Sequence, residues 1–280
     1  MTARTAGLTA VALVAFAANS WLCRAALRGG AIDPASFTAV RIGCGALVLV
    51  ALARRGGGAS GRGGSWASAA ALFVYAIAFS LAYLELDAGV GALVLFGAVQ
   101  LTMLAGGLLG GQRPGPADLV GMALALAGLA LLAAPGRAGA DPLAAAGMAA
   151  AGVAWGVYSL RGRSAHRPLA SNAVNFARAV PGGLLALGVA AGLGAVHVSA
   201  RGLALAAISG AITSGLGYAI WYAALRGLGA HEAGLVQLAV PVLAALGGVA
   251  WLGERVTLRL AAAGALVLGG IALALVARRR

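Results

Sequence analysis

Apolar residues run through this chain in long blocks, separated by short clusters of glycine, proline and arginine. A helix that crosses the hydrocarbon of a bilayer needs about 20 apolar residues. Taking the glycine, proline and charge clusters as breaks predicts ten such helices. They span Gly7–Leu27, Pro34–Ala53, Trp66–Leu86, Ala88–Leu109, Pro116–Ala134, Pro142–Leu160, Ser171–Gly192, Gly202–Leu225, Glu232–Leu252 and Leu258–Ala277. Proline opens several of them, where its missing N–H costs nothing.

The pattern is written twice. Tyr83-Leu84-Glu85-Leu86-Asp87-Ala88-Gly89, followed by an apolar run to Gly111-Gln112-Arg113, is echoed by Tyr222-Ala223-Ala224-Leu225-Arg226-Gly227-Leu228 and a run to Gly253-Glu254-Arg255. The offset is about 140 residues, half the chain. Each half then holds five spans, an odd number, so the halves insert upside down relative to each other. Many secondary transporters are built this way. The expected fold is an all-α membrane protein of ten transmembrane helices in two inverted five-helix repeats, residues 1–138 and 139–280.

Composition agrees with a membrane solvent. Hydrophobic residues make up 61% of the chain and charged residues 10%, against roughly 25% charged in an average soluble domain. The net charge of +13 invites a nucleic-acid reading. However, every basic residue is arginine, most sit in short loops, and no basic face is interleaved with aromatics, so no nucleic-acid partner is expected. Cys23 and Cys44 form no CxxC pair and read as small buried hydrophobes. No cofactor and no metal site are expected.

Arginine sets the orientation. Arg4, Arg54, Arg55, Arg62, Arg113, Arg161, Arg163, Arg167, Arg226 and Arg278 to Arg280 fall at one set of helix ends. The other set carries Arg28, Arg137, Arg201, Arg255 and Arg259, diluted by Asp33, Glu85, Asp87, Asp141 and Glu254. The first set should be cytoplasmic, which puts both termini inside. The first 22 residues resemble a signal peptide with a small-residue stretch at Ala15-Phe16-Ala17. Their apolar run continues to Leu27, and the repeat needs them, so a retained first helix is expected.

Inversion places matching positions at opposite depths. Arg41 and Arg178 match in the second helix of each half, Trp21 and Trp155 in the first, and Gly106-Gly107 and Gly247-Gly248 in the fourth. Gly106, Gly107, Gly110 and Gly111 give overlapping GxxxG spacings, and Gly264, Gly269 and Gly270 add small surfaces on the last helix. Such residues let helices approach closely.

Polar and aromatic residues are scarce within the spans. Tyr75, Phe79 and Tyr83 lie four apart and share one helix face. Tyr218 and Tyr222 repeat that spacing beside Trp221, and Trp155 and Tyr158 share the sixth helix. They suit either an interfacial aromatic belt or the lining of a pathway for a solute with an apolar or aromatic side chain. Asn19, Trp21, Gln100 and Gln237 complete the candidate pathway set; Gln100 must face a cavity or another helix.

Arg24, Arg41 and Arg178 are the charges well inside spans, where an arginine at the bilayer centre costs about 2.5–3.5 kcal/mol. Arg24 is near a helix end and can snorkel. Arg41 and Arg178 read either as structural groups or as contacts for a substrate carboxylate. No acid lies deep in a span; Glu232 with His231 sits at the mouth of the ninth helix. Proton-driven pumps usually carry an intramembrane acid, so its absence favours downhill facilitation or exchange. Pro241 is a candidate hinge in the ninth helix, or a static kink.

Asn19-Ser20-Trp21, the stretch from Pro34 to Arg41, Tyr222 to Leu225 leading to Pro241, and Gly253-Glu254-Arg255 together resemble the drug/metabolite transporter superfamily, in its ten-helix branch of two EamA-type repeats. The first half departs from the pattern at Gln100, where the second has Pro241, and at Gln112, where it has Glu254. The resemblance implies export of small metabolites through a cavity formed by helices one, three and four with six, eight and nine. Within the superfamily the chain looks most like bacterial exporters of neutral or aromatic amino acids, multi-pass in the inner membrane, working by alternating access as a monomer or homodimer. A multidrug or other metabolite exporter is the alternative. A channel lacks its filter, and an enzyme lacks clustered Ser/His, paired Asp or metal motifs.

Overall fold

The computed structural model describes residues 2–56, 63–111, 115–133, 140–162, 165–228, 233 and 236–277. Among them are ten helical rods: α1 (Ala3–Leu27), α2 (Pro34–Arg55), α3 (Trp66–Ala82), α4 (Ala88–Leu109), α5 (Pro116–Ala133), α6 (Pro142–Gly162), α7 (Pro168–Gly192), α8 (Ala200–Leu225), α9 (Ala239–Leu252) and α10 (Leu258–Ala277). Six are long and apolar enough to cross a membrane, and α3, α5, α9 and α10 are shorter apolar helices. No strand occurs among the described residues; Ile32 and Val198 make a single antiparallel bridge. The described residues thus form a helical bundle whose long apolar helices suit a membrane.

Local chemistry starts the helices where the sequence breaks. Thr2, Asp33, Ser65 and Ser199 each accept a backbone N–H three residues on, from Thr5, Ser36, Ser68 and Gly202. Asp141 and Thr257 do the same for Ala144 and Leu260. These bonds satisfy amides that a helix start leaves without an intrahelical partner. Helix α9 stops at Gly253, whose φ of +67° suits glycine. Several predicted boundaries move; α1 begins at Ala3 rather than Gly7, and α7 at Pro168 rather than Ser171. Helix α3 ends at Ala82 rather than Leu86, in a turn whose Tyr83 and Leu84 carbonyls are taken by Arg24. The continuous stretch of helix α9 runs from Ala239, with helical residues at Ala233, Val236 and Gln237 before it; His231 and Glu232, like Arg62, Gln112, Arg113, Arg137, Arg163 and Arg278 to Arg280, lie outside the described residues.

The rods alternate in direction. Arg54, Arg55, Arg161 and Arg226 therefore share one face of the bundle, and Arg28, Asp33, Asp87, His197 and Glu254 the other. Helix α5 packs on α10, α2 on α7, α6 on α3 and α4, α1 on α8 and α9, and α4 on α9. Glycines set these approaches. A Cβ on Gly121 would meet the Gly270 carbonyl, and one on Gly45 would meet Phe176. A Cβ on Gly183 would meet Ala39. Trp21 fills the space over Gly247, and Leu160 the space over Gly106. Of the predicted GxxxG set, Gly106 makes such a contact with another helix, whereas Gly110 and Gly111 do not. Exposed Leu47, Leu184, Leu185, Val189 and Leu246 belong to the apolar belt a bilayer would cover.

Helix α8 is not uniform. Ser209–Leu216 winds as a π-helix, a rare form concentrated at functional sites. A Cβ on Gly210 would strike the Arg41 backbone of α2, so the lack of a side chain permits the contact. The wider turn brings Ser209, Thr213 and Ser214 to bear on α1 and α2.

Candidate functional site

A cavity of about 970 Å³ is walled by α1, α2, α4, α6, α7 and α8. It opens on the arginine-rich face, where His166, Arg167 and Arg226 stand at its rim. Further in, it is lined by Gln100 and Met103 of α4, Trp155, Tyr158 and Ser159 of α6, Tyr218, Trp221 and Tyr222 of α8, and Gln237. Among the described lining residues none is acidic.

Rings form the inner wall. Trp155 stacks on Tyr218 at 5.1 Å and 28°, and on Tyr158 at 5.3 Å and 21°. Phe16 packs edge-on to Tyr218 and Trp221. Tyr158 is held by Asn172, and Asn175 Nδ2 donates to its hydroxyl at 3.4 Å. Asn175 Oδ1 also accepts the Ser65 N–H at 2.9 Å, which ties the wall to the start of α3. These bonds tie the Tyr158 ring of the wall to α7.

Behind this wall is a second chamber of about 20 Å³, lined by Asn19, Ser20, Tyr75, Phe79 and Thr213. It has room for about one water. Phe16, Trp155 and Tyr218 line both spaces and divide them. The chamber's polar groups are knotted together. Asn19 Oδ1 accepts from Ser209 Oγ at 2.6 Å and Thr213 Oγ1 at 3.1 Å, and Asn19 Nδ2 donates to Tyr75 Oη at 3.3 Å. Arg41 Nη2 donates to the same hydroxyl at 2.8 Å and Arg41 Nε to Ser214 Oγ at 3.1 Å.

Past the chamber the bundle is shut. Tyr83, fully buried, packs edge-on to Phe79 at 4.6 Å and donates to the Ala88 carbonyl. Trp21 donates to the Ala244 carbonyl at 2.9 Å and meets Trp251 at 4.6 Å. Arg24 Nη2 pairs with Asp87 at 3.2 Å, and Arg24 Nε stands 3.6 Å from Glu254. Burial pushes the Glu254 carboxyl above its usual range; the Ala88 N–H and Arg24 oppose that shift while Asp87 adds to it. The loop before α2 is strapped to the loop before α8: Asp33 N–H donates to the His197 carbonyl and His197 N–H to Asp33 Oδ2. Burial works to raise the Asp33 carboxyl, but the hydrogen bonds from Ser36 and His197 outweigh it and hold it below its usual range.

Residues 143–276 match the EamA-like transporter family. An uncharacterized protein of Pseudomonas aeruginosa is 54% identical over 278 residues, covering 98% of this chain and 96% of that one. Residues 143–276 thus form an EamA-like transporter domain, which supports the drug/metabolite transporter superfamily. A solved crystal structure at 25% identity superposes with a TM-score of 0.69, covering 98% of this chain and 97% of the other. The domain and the apolar helices support a multi-pass membrane transporter of small molecules.

The transporter gathers most of the predicted pathway residues around one axis. Gln100, Trp155, Tyr158, Tyr218, Trp221, Tyr222 and Gln237 face the cavity; Asn19, Tyr75 and Phe79 face the inner chamber. Trp21 and Tyr83 do not reach either space and belong to the closed side. Arg41 and Arg178 differ in surroundings. Arg41 is 2% exposed, whereas Arg178 is half-buried with its guanidinium 5.4 Å from the Trp66 ring. Pro241 stands in the first turn of α9 as described, where no intrahelical bond is lost. Arg24 does not snorkel: it is 5% exposed and tied to two carbonyls and two acids. Asn172 and Asn175 escaped the sequence reading, although two asparagines three apart in an apolar span were a legible signal. The π-turn that aims Ser209 left no such signal.

Proposed function

We propose that this transporter moves neutral or aromatic amino acids outward across the bacterial inner membrane. The supporting observation is the ring wall of Trp155, Tyr158 and Tyr218 inside a cavity of about 970 Å³. That volume is ample for an amino acid, and aromatic faces pair favourably with apolar and aromatic side chains. The absence of an acid among the described lining residues favours a downhill facilitator or exchanger over a proton-coupled pump.

The machine is two inverted five-helix halves, residues 1–138 and 139–280, working by alternating access as a monomer or homodimer. In support, helices at matching places in the halves pack on matching partners, α1 on α9 and α6 on α4. Gly45 of α2 receives Phe176 of α7, while Gly183 of α7 receives Ala39 of α2. Trp21 of α1 covers Gly247 of α9, while Leu160 of α6 covers Gly106 of α4. The family match at residues 143–276 lies wholly within the second half. Arginine-rich ends put the open cavity and both termini on the cytoplasmic side. Leu238, where the described helical turn at Gln237 gives way to α9, together with Pro241, would supply a hinge.

Counterflow in proteoliposomes with a panel of labelled amino acids, drugs and sugar nucleotides tests this reading. Exchange selective for bulky neutral amino acids is expected. Exchange confined to sugar nucleotides or to cationic drugs rejects it.

A further inference from the structure

Arg41 is a buried charge with unfinished bonding. Its residue is 2% exposed, on a helix inside the membrane. Two of its three nitrogens are used, Nη2 on Tyr75 and Nε on Ser214. The third, Nη1, is buried and has no hydrogen-bond partner. The guanidinium makes no ion pair among the described residues. Its Cζ lies 5.1 Å from the Tyr75 ring centre and 5.0 Å from that of Phe79, two walls of the inner chamber. A membrane-buried cation is costly unless an anion or well-placed dipoles compensate it. Here the rings and two hydroxyls do so only in part.

Arg41 stands behind the Tyr75 and Phe79 walls of the chamber, and the charges that line the cavity have its sign. Arg167 and Arg226 stand at the rim, and no acid lines either space among the described residues. A solute carrying a carboxylate would be drawn in and would complete the bonding of Arg41. A solute carrying only an ammonium would find rings and amides but no carboxylate.

We propose that Arg41, with Tyr75 and Asn19, forms the carboxylate-docking point of the transport path, and that the recognised solute is an apolar or aromatic carboxylate whose amino group is dispensable. This rests on the transport reading above and narrows it: amino acids are one case of the class. The chamber holds about one water in the present conformation. Docking therefore requires Trp155 and Tyr218, which divide chamber from cavity, to swing aside. Arg41 then engages the solute in the occluded state.

Three probes separate the groups: phenylalanine has both charges, 3-phenylpropionate only the carboxylate, 2-phenylethylamine only the ammonium. Binding of each to the purified full chain in nanodiscs is measured by calorimetry. Phenylpropionate should bind within several-fold of phenylalanine, and phenylethylamine about tenfold or more weakly than either. Arg41→Lys should keep that gap, because it keeps the charge, and Arg41→Gln should abolish it. Equal binding of amine and acid to the native protein overturns the proposal, as does no binding of any probe, or a gap that survives in Arg41→Gln. If Arg41→Gln does not fold, the native protein and Arg41→Lys still decide. Phenylalanine counterflow is run separately. Its absence, with acid binding and the gap intact, overturns the amino-acid reading and leaves the docking point standing.

Discussion

Glu254 closes the far side of this transporter by standing 3.6 Å from Arg24 Nε while both its oxygens accept the Ala88 N–H, at 3.0 and 2.9 Å. One carboxylate thus joins α1, the start of α4 and the end of α9. It sits against Gly248, where a Cβ would collide with Oε2.

Glu254→Gln keeps an acceptor for the Ala88 amide, whereas Glu254→Ala removes it along with the charge that faces Arg24. The alanine variant should lose about 1–3 kcal/mol of stability and the glutamine variant less. Gly248→Ala should behave like Glu254→Ala, because it displaces the carboxylate. Thermal unfolding in nanodiscs checks the order; a glutamine variant as unstable as the alanine one counts against it.

Asp33 supplies a pH dependence on the same side. Its carboxyl is held below its ordinary value of 3.8. A depressed acid contributes stability that is fully present above the unfolded value and is lost as pH falls through the folded one. The strap to His197 should therefore hold at neutral pH and loosen only below that ordinary value. Amide exchange at His197 followed against pH, with Asp33→Asn as the insensitive control, reads this directly. Loosening between pH 5 and 7 would contradict it.

Trp155 touches Tyr75, Tyr158 and Tyr218 and lines both spaces. Trp155→Ala should raise the KM for an aromatic solute by about tenfold, given roughly 0.5–1.5 kcal/mol for each aromatic pair lost. Trp155→Phe should recover most of it. Unchanged counterflow in Trp155→Ala removes the ring from the path.

Small residues can be told apart by what they face. Gly121→Val drives a side chain into α10 at Gly270 and should destabilise the protein by about 1–3 kcal/mol. Gly269→Ala, with nothing within 4 Å of the new Cβ, should leave the melting temperature unchanged or raise it slightly. Equal melting of the two variants would mean that α5 and α10 do not meet as described.

The sequence carried the spans because apolar length and helix caps are local properties. Ser65, Asp33 and Ser199 stand at breaks in hydropathy and also make the capping bonds. The ring set was legible for the same reason: Tyr75 and Phe79, or Tyr218 and Tyr222, share a helix face by spacing alone. What spacing cannot say is which helix that face meets. Tyr83 continues the Tyr75 stripe, yet it ends on the closed side, because α3 stops at Ala82 and turns. Arg24 looked free to snorkel because its partners, Asp87 and Glu254, are far away in sequence. Arg41 and Arg178 matched in the duplicated pattern, but only Arg41 faces the π-turn of α8.

The central claim is a ring-lined cavity open on the arginine-rich side and sealed on the other. Two-sided thiol labelling tests it most directly. In a background with Cys23 and Cys44 replaced by alanine, single cysteines are placed at Ser159, which lines the cavity, and at His197, which is exposed on the opposite face. An impermeant maleimide should reach the Ser159 position only from the cytoplasmic side, more slowly with solute present, and the His197 position only from outside. Labelling of both positions from the same side would contradict the account.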